Sequence, residues 1–279
     1  MSREKVDMSE KKVEETYDAY AKGYSSGDFA PATFDTARAA MSFADDITWH
    51  FLTRFLPRKK SIKILEAGAG DGYWAQKFAE MGYGNIVLTD ISQGMLDRAR
   101  ERFAKLKIEH NAEFVKSDIT NMVELESSTF DYVFSQYDAV SYCMRPKKAV
   151  EELARVSRKD AYVIVCLDTK FRRVSELIEA NQVDKAKELL KTNISYDFGH
   201  PQYNLTWKEL ADHFEGAGLK VVEVVGAPVF MHQVNEKTLK KLERDSETRK
   251  HLLEIELDNC TNRSLVNFAG HLQIIGRKR

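Results

Sequence analysis

From about residue 61 onward, short apolar runs alternate with amphipathic stretches, and few architectures tolerate that rhythm. "SIKILEAG", "NIVLTD", "AEFVKSD", "FDYVFSQ" and "AYVIVCLD" read as five buried strands. "YWAQKFAEMG" reads as a helix ended by Gly82. "QGMLDRARERFAKL" sets Met95, Leu96, Ala99, Phe103 and Leu106 on one helical face, and "KKAVEELARVS" supplies the helix before the fifth strand. Strand and helix in alternation imply a parallel, doubly wound sheet, because parallel neighbours need a crossover and a helix makes it. Beyond these lie a helix, "TWKELADHFEGAG" with Thr206 as N-cap, and two strands, "LKVVEVVGA" and "AGHLQIIGRK".

Three segments fall outside the rhythm. Residues 1–60 are helical in pattern and form an N-terminal lid segment; residues 61–279 form the main domain, with cap insertions at about 170–205 and 227–265. In the second insertion Leu239, Leu242, Leu253 and Leu257 suit one buried face, and its charges read as a solvated face. The apolar faces of the two insertions are expected to cover each other. No linker, repeat or low-complexity tract divides the chain.

Composition excludes several classes. A net charge of -1 on 279 residues creates no global field for nucleic acid or an anionic membrane. No window approaches the roughly 20 apolar residues of a membrane span, and the charged start "MSREKVDMSEKKVEE" is no secretory signal. Cys143, Cys166 and Cys260 lie far apart with no metal-ligand spacing, so reduced thiols in a cytoplasmic protein are expected.

The chemistry starts at "ILEAGAGDGYWA", residues 64–75. A strand that ends in Gly68, Gly70 and Gly72 and turns into a helix lets a ligand approach backbone otherwise covered by Cβ atoms. Dinucleotide, phosphate and nucleoside sites all use such loops, and so does a tight turn with no ligand. Two acids sharpen the reading. Asp90 ends the second strand, where a carboxylate can accept from both ribose hydroxyls, and Asp118 ends the third, close to an adenine position. Either alone could be a cap or turn former; together they describe a nucleoside pocket along the sheet's carboxyl edge.

On these residues the chain resembles the class I S-adenosylmethionine-dependent methyltransferases. "LEAGAGDG" is similar to that family's first motif, which would bring Glu66, Gly68, Ala69 and Gly70 to the cofactor. "LTDISQGML" resembles the second-strand motif, with Asp90 and Ile91 at the ribose and Met95 flanking the adenine; "VKSDITNM" places Asp118 and Ile119 there. "FDYVFSQYDAVSYC" resembles the fourth strand and its sequel, where Gln136 would meet the methionine part. "TYDAYAKGYSSGDF" resembles a tyrosine-bearing helix that closes over the cofactor, hence Tyr17 and Tyr24. The family's glycine pair before the fifth strand is here Lys159-Asp160. The resemblance covers residues 60–170 and 206–226 well and the final strand fairly. It implies a Rossmann-like α/β fold, a seven-stranded sheet whose last strand is antiparallel. Glu66 would then orient the loop or meet the cofactor ammonium through water.

Methyl transfer from a sulfonium asks the protein to align nucleophile, methyl and sulfur and to exclude water. Acceptor deprotonation is the remaining acid–base step. Asp138 and His200 are the candidates for it, with Tyr137, Tyr142 and His200 on the acceptor side and Tyr196, Phe198 and Tyr203 beside His200. His200 and His232 could equally be structural histidines. The Asn/Asp-Pro-Pro-aromatic motif of amino-group methyltransferases is absent, since "SQYD" stands in its place. Asp138 and Asp168 resemble the acids of a magnesium site, but Thr169 stands where an asparagine is expected, so no metal is predicted. The expected activity is transfer to a small-molecule acceptor, without nucleic acid or membrane. A protein methyltransferase, a non-enzymatic binder of the cofactor and a nicotinamide oxidoreductase are the alternatives.

Overall fold

The strands read from the apolar runs pair into a single sheet. The structure, a computed structural model, describes residues 3–23, 35–197 and 199–279; Tyr24 and Phe198 lie outside them. Two helices, α1 (Arg3–Gly23) and α2 (Asp35–Arg54), come first. The alternating part follows: β1 (Ile64–Ala67), α3 (Tyr73–Glu80), β2 (Ile86–Asp90), α4 (Gln93–Lys105), β3 (Ala112–Lys116), β4 (Phe130–Ser135), α5 (Ala139–Tyr142), α6 (Pro146–Val156) and β5 (Ser157–Asp168). The first insertion carries α7 (Lys170–Glu179), α8 (Val183–Thr192) and a hairpin of β6 (Ile194–Asp197) and β7 (His200–Tyr203). Next come α9 (Trp207–Gly216) and β8 (Leu219–Ala227). The second insertion holds α10 (Glu236–Glu243), α11 (Ser246–Asn259) and α12 (Arg263–Val266), and β9 (His271–Lys278) ends the chain.

The seven-stranded sheet runs β3-β2-β1-β4-β5-β9-β8. β9 is antiparallel to both β5 and β8, as the family pattern implied. Its first residue therefore lies where the parallel strands end. β1 and β2 are buried along their whole length, as central strands covered on both faces must be. β3, at the edge, exposes Glu113 and Lys116, charges that discourage edge-to-edge pairing. Order reverses between β1 and β4, and that switch point opens a crevice at the carboxyl edge. At the Lys159-Asp160 turn, Asp160 takes a left-handed φ of 68°, the conformation a glycine would adopt freely.

The N-terminal segment divides in two. α2 belongs to the core: Ile47, Phe51 and Leu52 are buried with Trp74, Phe78 and Tyr132. The Tyr132 hydroxyl donates to the Leu52 carbonyl at 2.7 Å. α1 instead packs against α4 and β7. The insertions do not chiefly cover each other, contrary to expectation. Met231 and Leu239 of the second pack on Phe43 of α2, and Arg249 pairs with Asp46 at 2.5 Å. In the first, Leu177, Ala186 and Leu189 close α7 on α8. The physical reason is proximity: α2 lies beside β8, so an excursion leaving β8 meets it first.

Thr206 is the N-cap of α9, as read from sequence. Its Oγ1 accepts from the Glu209 amide at 3.3 Å, and Glu209 Oε2 accepts from the Thr206 amide at 2.8 Å.

Candidate active site

After β1 the chain passes through Gly68, Gly70 and Gly72 at φ 69°, 53° and 75°. Two of the three are dictated by the chain itself. A Cβ on Gly68 would stand 2.2 Å from the Ala139 Cβ, and one on Gly72 would stand 3.0 Å from Leu88 and 3.2 Å from Ala99 and Phe103. Gly70 differs. Its nearest neighbour on that side is the Met95 methyl at 3.4 Å, so this is where the loop's backbone is open to a ligand. Glu66 orients the loop: its Oε2 accepts from the Ala75 amide at 2.9 Å and so holds the start of α3. Burial pushes its carboxyl well above the usual range, with Asp71 and Asp90 adding to the push. Arg102 fastens the loop from outside, donating to the Asp71 carbonyl at 2.9 Å and pairing with its carboxylate.

Asp90 Oδ2 accepts from the Gly70 amide and Oδ1 from the Ser92 amide, at 2.8 and 2.9 Å. Burial raises this carboxyl to about 6 against those two bonds. A carboxylate offers about four acceptor positions, so two backbone bonds leave room for both hydroxyls of a ribose. Met95 is buried with its methyl against the loop, Ile91 is half-buried, and the Ala69 amide donates to the Thr89 carbonyl at 2.8 Å. Asp118 lies two residues beyond β3. It accepts from the Thr120 amide and hydroxyl, both at 2.8 Å, and pairs with Arg145 at 3.4 Å, tying this turn to the start of α6. Ile119 packs into the main core. Gln136 is buried and accepts from Gln273 Nε2 at 3.4 Å.

α1 spans the edge above this cradle. Asp18 Oδ1 accepts from the Ser92 hydroxyl at 2.5 Å and the Gly94 amide at 3.0 Å, and Arg98 donates to the Ala21 carbonyl at 2.7 Å. Farther along, Lys12 donates to the Gly199 carbonyl in the hairpin at 3.2 Å. Tyr17 of α1 meets Tyr142 of α5 edge to face, ring centres 6.3 Å apart, so these two predicted site residues do come together.

On the other side of the switch point, just beyond β4, come two successive non-glycine residues at positive φ, Tyr137 at 48° and Asp138 at 78°. Such conformations cost on the order of 1–3 kcal/mol each and cluster at functional sites. The Tyr137 ring lies between Trp74 and His271, at 5.7 and 5.1 Å, with its hydroxyl on Asp45 of α2. Asp138 leads into Ala139, the residue against which Gly68 is packed. Asp168 at the end of β5 is paired in register with His271 at the start of β9. His271 Nε2 stands 3.8 Å from Asp138 Oδ2 and 3.8 Å from Asp168 Oδ1. Arg172 bonds Asp168 Oδ1, and Gln202 Nε2 donates to Asp168 Oδ2 at 3.3 Å. His200 shares the buried face of β7 with Gln202, the residue that donates to Asp168.

Charge in this cluster is balanced. Burial lowers the His271 imidazole and the Asp138 and Asp168 carboxylates outweigh it, so its pKa is raised. Burial, then repulsion from Asp168, raises Asp138. Burial would raise Asp168 too, but Arg172 and His271 hold it below the ordinary range. Asp138, Asp168 and His271 offer ligand atoms within 4.8 Å of one another. The Arg172 guanidinium already supplies the positive charge a cation would bring, and Thr169 turns away to donate to the Ala269 carbonyl at 2.5 Å. We read the cluster as a hydrogen-bonding site. Around it Ser135 Oγ, Gln136 Nε2, Asp138 Oδ1, Gln202 Oε1 and Gln273 Oε1 are buried without a partner among the described residues. Each such atom costs about 1–3 kcal/mol unless something else satisfies it, so this edge is built to receive a polar molecule.

His271, Arg172, Gln202, Asp18 and Asp45 were not singled out from sequence. For His271 a signal existed. If the last strand is antiparallel, the polar residue at its start must lie at the carboxyl edge of its neighbours.

Residues 64–160 match the family described as "Methyltransferase domain". The ubiquinone/menaquinone biosynthesis C-methyltransferase UbiE of Campylobacter jejuni is 31% identical over 150 residues, 50% of this chain and 60% of that protein. The tRNA 5-carboxymethoxyuridine methyltransferase of Escherichia coli K12 is 21% identical over 242 residues, 83% of this chain and 87% of that one. In fold, the chain is similar to Haemonchus contortus phosphoethanolamine N-methyltransferase 2, solved with phosphomonomethylethanolamine and S-adenosylhomocysteine. That likeness has a TM-score of 0.58 at 19% identity, over 84% of this chain and 52% of that one. Among the described residues no helix is long and apolar enough to cross a membrane.

Proposed function

We propose that this chain is a class I S-adenosylmethionine-dependent methyltransferase and that it methylates a small-molecule acceptor held beyond the ends of β4 and β5 and the start of β9. One observation carries the reading: the carboxyl edge is divided at the switch point. A backbone cradle at Gly70 and Asp90 lies on one side and a polar cluster of Asp138, Asp168 and His271 on the other, joined where Gly68 touches Ala139. The open backbone at Gly70 and the spare acceptor positions of Asp90 fit the ribose of S-adenosylmethionine, with Met95 and Ile91 beside the adenine and Gln136 toward the methionine part. When bound, that cofactor supplies an electrophilic methyl group.

The chain's own residues supply the rest. Asp90 orients the nucleoside, Glu66 fixes the loop through α3, and α1 excludes water with Tyr17 and Tyr142 in contact. The polar cluster binds and aligns the acceptor. Because Arg172 already neutralises Asp168, transfer proceeds without a divalent metal. Calorimetry with S-adenosylhomocysteine and with NAD tests the cofactor: heat from the first and none from the second is expected. Methyl-labelled cofactor incubated with a small-molecule cell extract tests the reaction, and labelled product is expected.

The Escherichia coli relative favours a second reading, in which a tRNA nucleoside enters the same edge. A parallel incubation with bulk tRNA separates the two, because label in the tRNA fraction would displace the small-molecule acceptor.

A further inference from the structure

The polar cluster has an arrangement that acceptor binding alone does not require. His271 Nε2 faces Asp138 Oδ2 and Asp168 Oδ1 at 3.8 Å each, too far for a direct hydrogen bond. The gap between Nε2 and Asp138 Oδ2 therefore suits a third polar atom. Asp138 is aimed there by a left-handed backbone at φ 78°, and its other oxygen is buried without a partner among the described residues. It sits one residue from Ala139, the contact of the glycine loop, so this carboxylate is beside the cofactor cradle. Asp168 is committed to Arg172 and Gln202 and leaves Asp138 as the available anion.

We propose that Asp138 and His271 form the proton-accepting pair for the methyl acceptor, so that the acceptor is a molecule bearing a removable proton on its reacting atom. The proposal rests on the methyltransferase reading above. The acceptor's X–H bond gives its proton to the pair. The electron pair left on X forms the bond to the methyl carbon as the carbon–sulfur bond breaks, and that bond's electrons remain on sulfur. Hydroxyl, enol and acidified carbon acceptors satisfy this balance. Thioethers and tertiary amines have no proton to give and fall outside it. Asp168 and Arg172 are positioning residues: Arg172 holds Asp168, whose charge faces the imidazole at 3.8 Å, and neither takes the proton.

The groups facing the pair set its behaviour with pH. They are Asp168 of β5, Arg172 of α7, the Cys166 thiol of β5, and His232 in the turn before α10. Asp45 of α2 acts through the Tyr137 hydroxyl. Burial pushes the Cys166 thiol well up and takes the His232 imidazole down to about 4. Neither changes charge near neutrality, and saturating S-adenosylmethionine removes the effect of Asp90 on cofactor affinity, so a titration of the transfer rate seen under that condition belongs to the pair, which is described by one shared proton.

The test uses the full chain, methyl-labelled S-adenosylmethionine and small-molecule cell extract as the acceptor source. Asp138→Asn and His271→Asn should each slow label transfer about 100-fold or more, in the range for lost acid–base catalysis. Affinity for S-adenosylhomocysteine by calorimetry should stay within about threefold, which also reports that the variants fold. In the unaltered chain at saturating S-adenosylmethionine the transfer rate should fall on the acid side as the pair takes up a proton, and both variants should lose that limb. A labelled product that is a sulfonium or a quaternary ammonium would overturn the proposal. Undiminished transfer by both variants would overturn it too, while leaving the methyltransferase reading intact. No transfer by the unaltered chain, despite intact cofactor binding, would instead remove the reading on which the proposal stands.

Discussion

Buried carboxylates are held differently on the two halves of the sheet's carboxyl edge. On the cofactor half, Glu66 and Asp90 accept from backbone amides of Ala75, Gly70 and Ser92, all within a few residues of strand ends. On the acceptor half, Asp138 and Asp168 face side chains: His271, Arg172 and Gln202, drawn from three separate elements. A site made of backbone is fixed by the local turn and tolerates few sequences. One made of side chains can be changed residue by residue while the fold stands. The first half suits a constant ligand and the second a particular one.

The sharpest way to break this division is at its seam. Gly68→Ala would drive a Cβ to 2.2 Å from the Ala139 Cβ at a backbone φ of 69°. Overpacking costs about 1–3 kcal/mol and the left-handed conformation about 1–2 kcal/mol more. S-adenosylhomocysteine binding should fall below detection by calorimetry. Adding Ala139→Gly should recover part of it, since that removes the clash and leaves the φ. Full recovery would mean that the left-handed turn is not demanded at all.

Arg172→Met should separate the halves by stability. It leaves Asp168 buried beside Asp138 with His271, the more distant Arg173 and the Gln202 amide to offset it, and breaking such a pair costs about 3–5 kcal/mol when fully buried. At 22% side-chain exposure for Arg172, about 2 kcal/mol is the better expectation, with cofactor affinity unchanged. The pH dependence has a definite sign. In the unaltered chain Asp168 is held below its ordinary range, so its contribution is present above the unfolded pKa and is lost on acidification. Without Arg172, burial dominates and the carboxyl rises, so protonation relieves the variant. The gap in Tm between the two should narrow from pH 7 to pH 4. A constant gap would assign Arg172 a packing role only.

Asp90→Ala should weaken S-adenosylhomocysteine binding by about 1–3 kcal/mol, the range for unpaired buried partners. Asp90 also predicts a pH effect confined to the cofactor half. Its folded pKa of about 6 lies above the ordinary 3.8, so the proton is held more tightly in the folded chain. That contribution to stability is full below the unfolded value and lost as pH rises through about 6. Ribose hydroxyls need the ionised carboxylate, so affinity should drop roughly tenfold from pH 7.5 to pH 5. Isothermal titration at both pH values measures it; a flat response would mean that the ribose does not bind the ionised form.

The same contrast explains what could be read from sequence. The strands, the helices with Thr206 as a cap, and the residues Gly68, Gly70 and Asp90 are encoded in short contiguous patterns. Apolar runs and tight turns dictate local structure directly. Asp138, Asp168, Arg172, Gln202 and His271 are spread over more than a hundred residues and meet only because β9 inserts between β5 and β8. The placement of α2 was hidden for a related reason. Its amphipathic pattern states that one face is buried and not which surface buries it. Glycine spacing also promised more than it carried, since Gly68 and Gly72 answer to Ala139 and to Leu88, Ala99 and Phe103, and Gly70 alone of the three meets nothing but the Met95 methyl, at 3.4 Å.

The smallest expected effect concerns α1, a helix that touches both halves. At one end Asp18 accepts from the Ser92 hydroxyl and the Gly94 amide at the start of α4, where a Cβ on Gly94 would stand 2.8 Å from the Ala21 Cβ. At the other, Lys12 reaches the hairpin through an exposed bond that contributes little. The hold on α1 is therefore uneven and sits mainly at the cofactor end. Asp18 also lies close enough to Asp90 to help raise its carboxyl. Asp18→Ala removes a helix-terminal acceptor worth about 1 kcal/mol and relieves that repulsion together. The two changes oppose each other in cofactor affinity, because α1 covers the cradle less well while Asp90 ionises more readily. At pH 7.5 the loss of cover should dominate, weakening S-adenosylhomocysteine binding about fivefold. Near pH 5 the gain in ionised Asp90 should offset most of that loss. Equal weakening at both pH values would place α1 as a cover alone, with no electrical influence on the cradle beneath it.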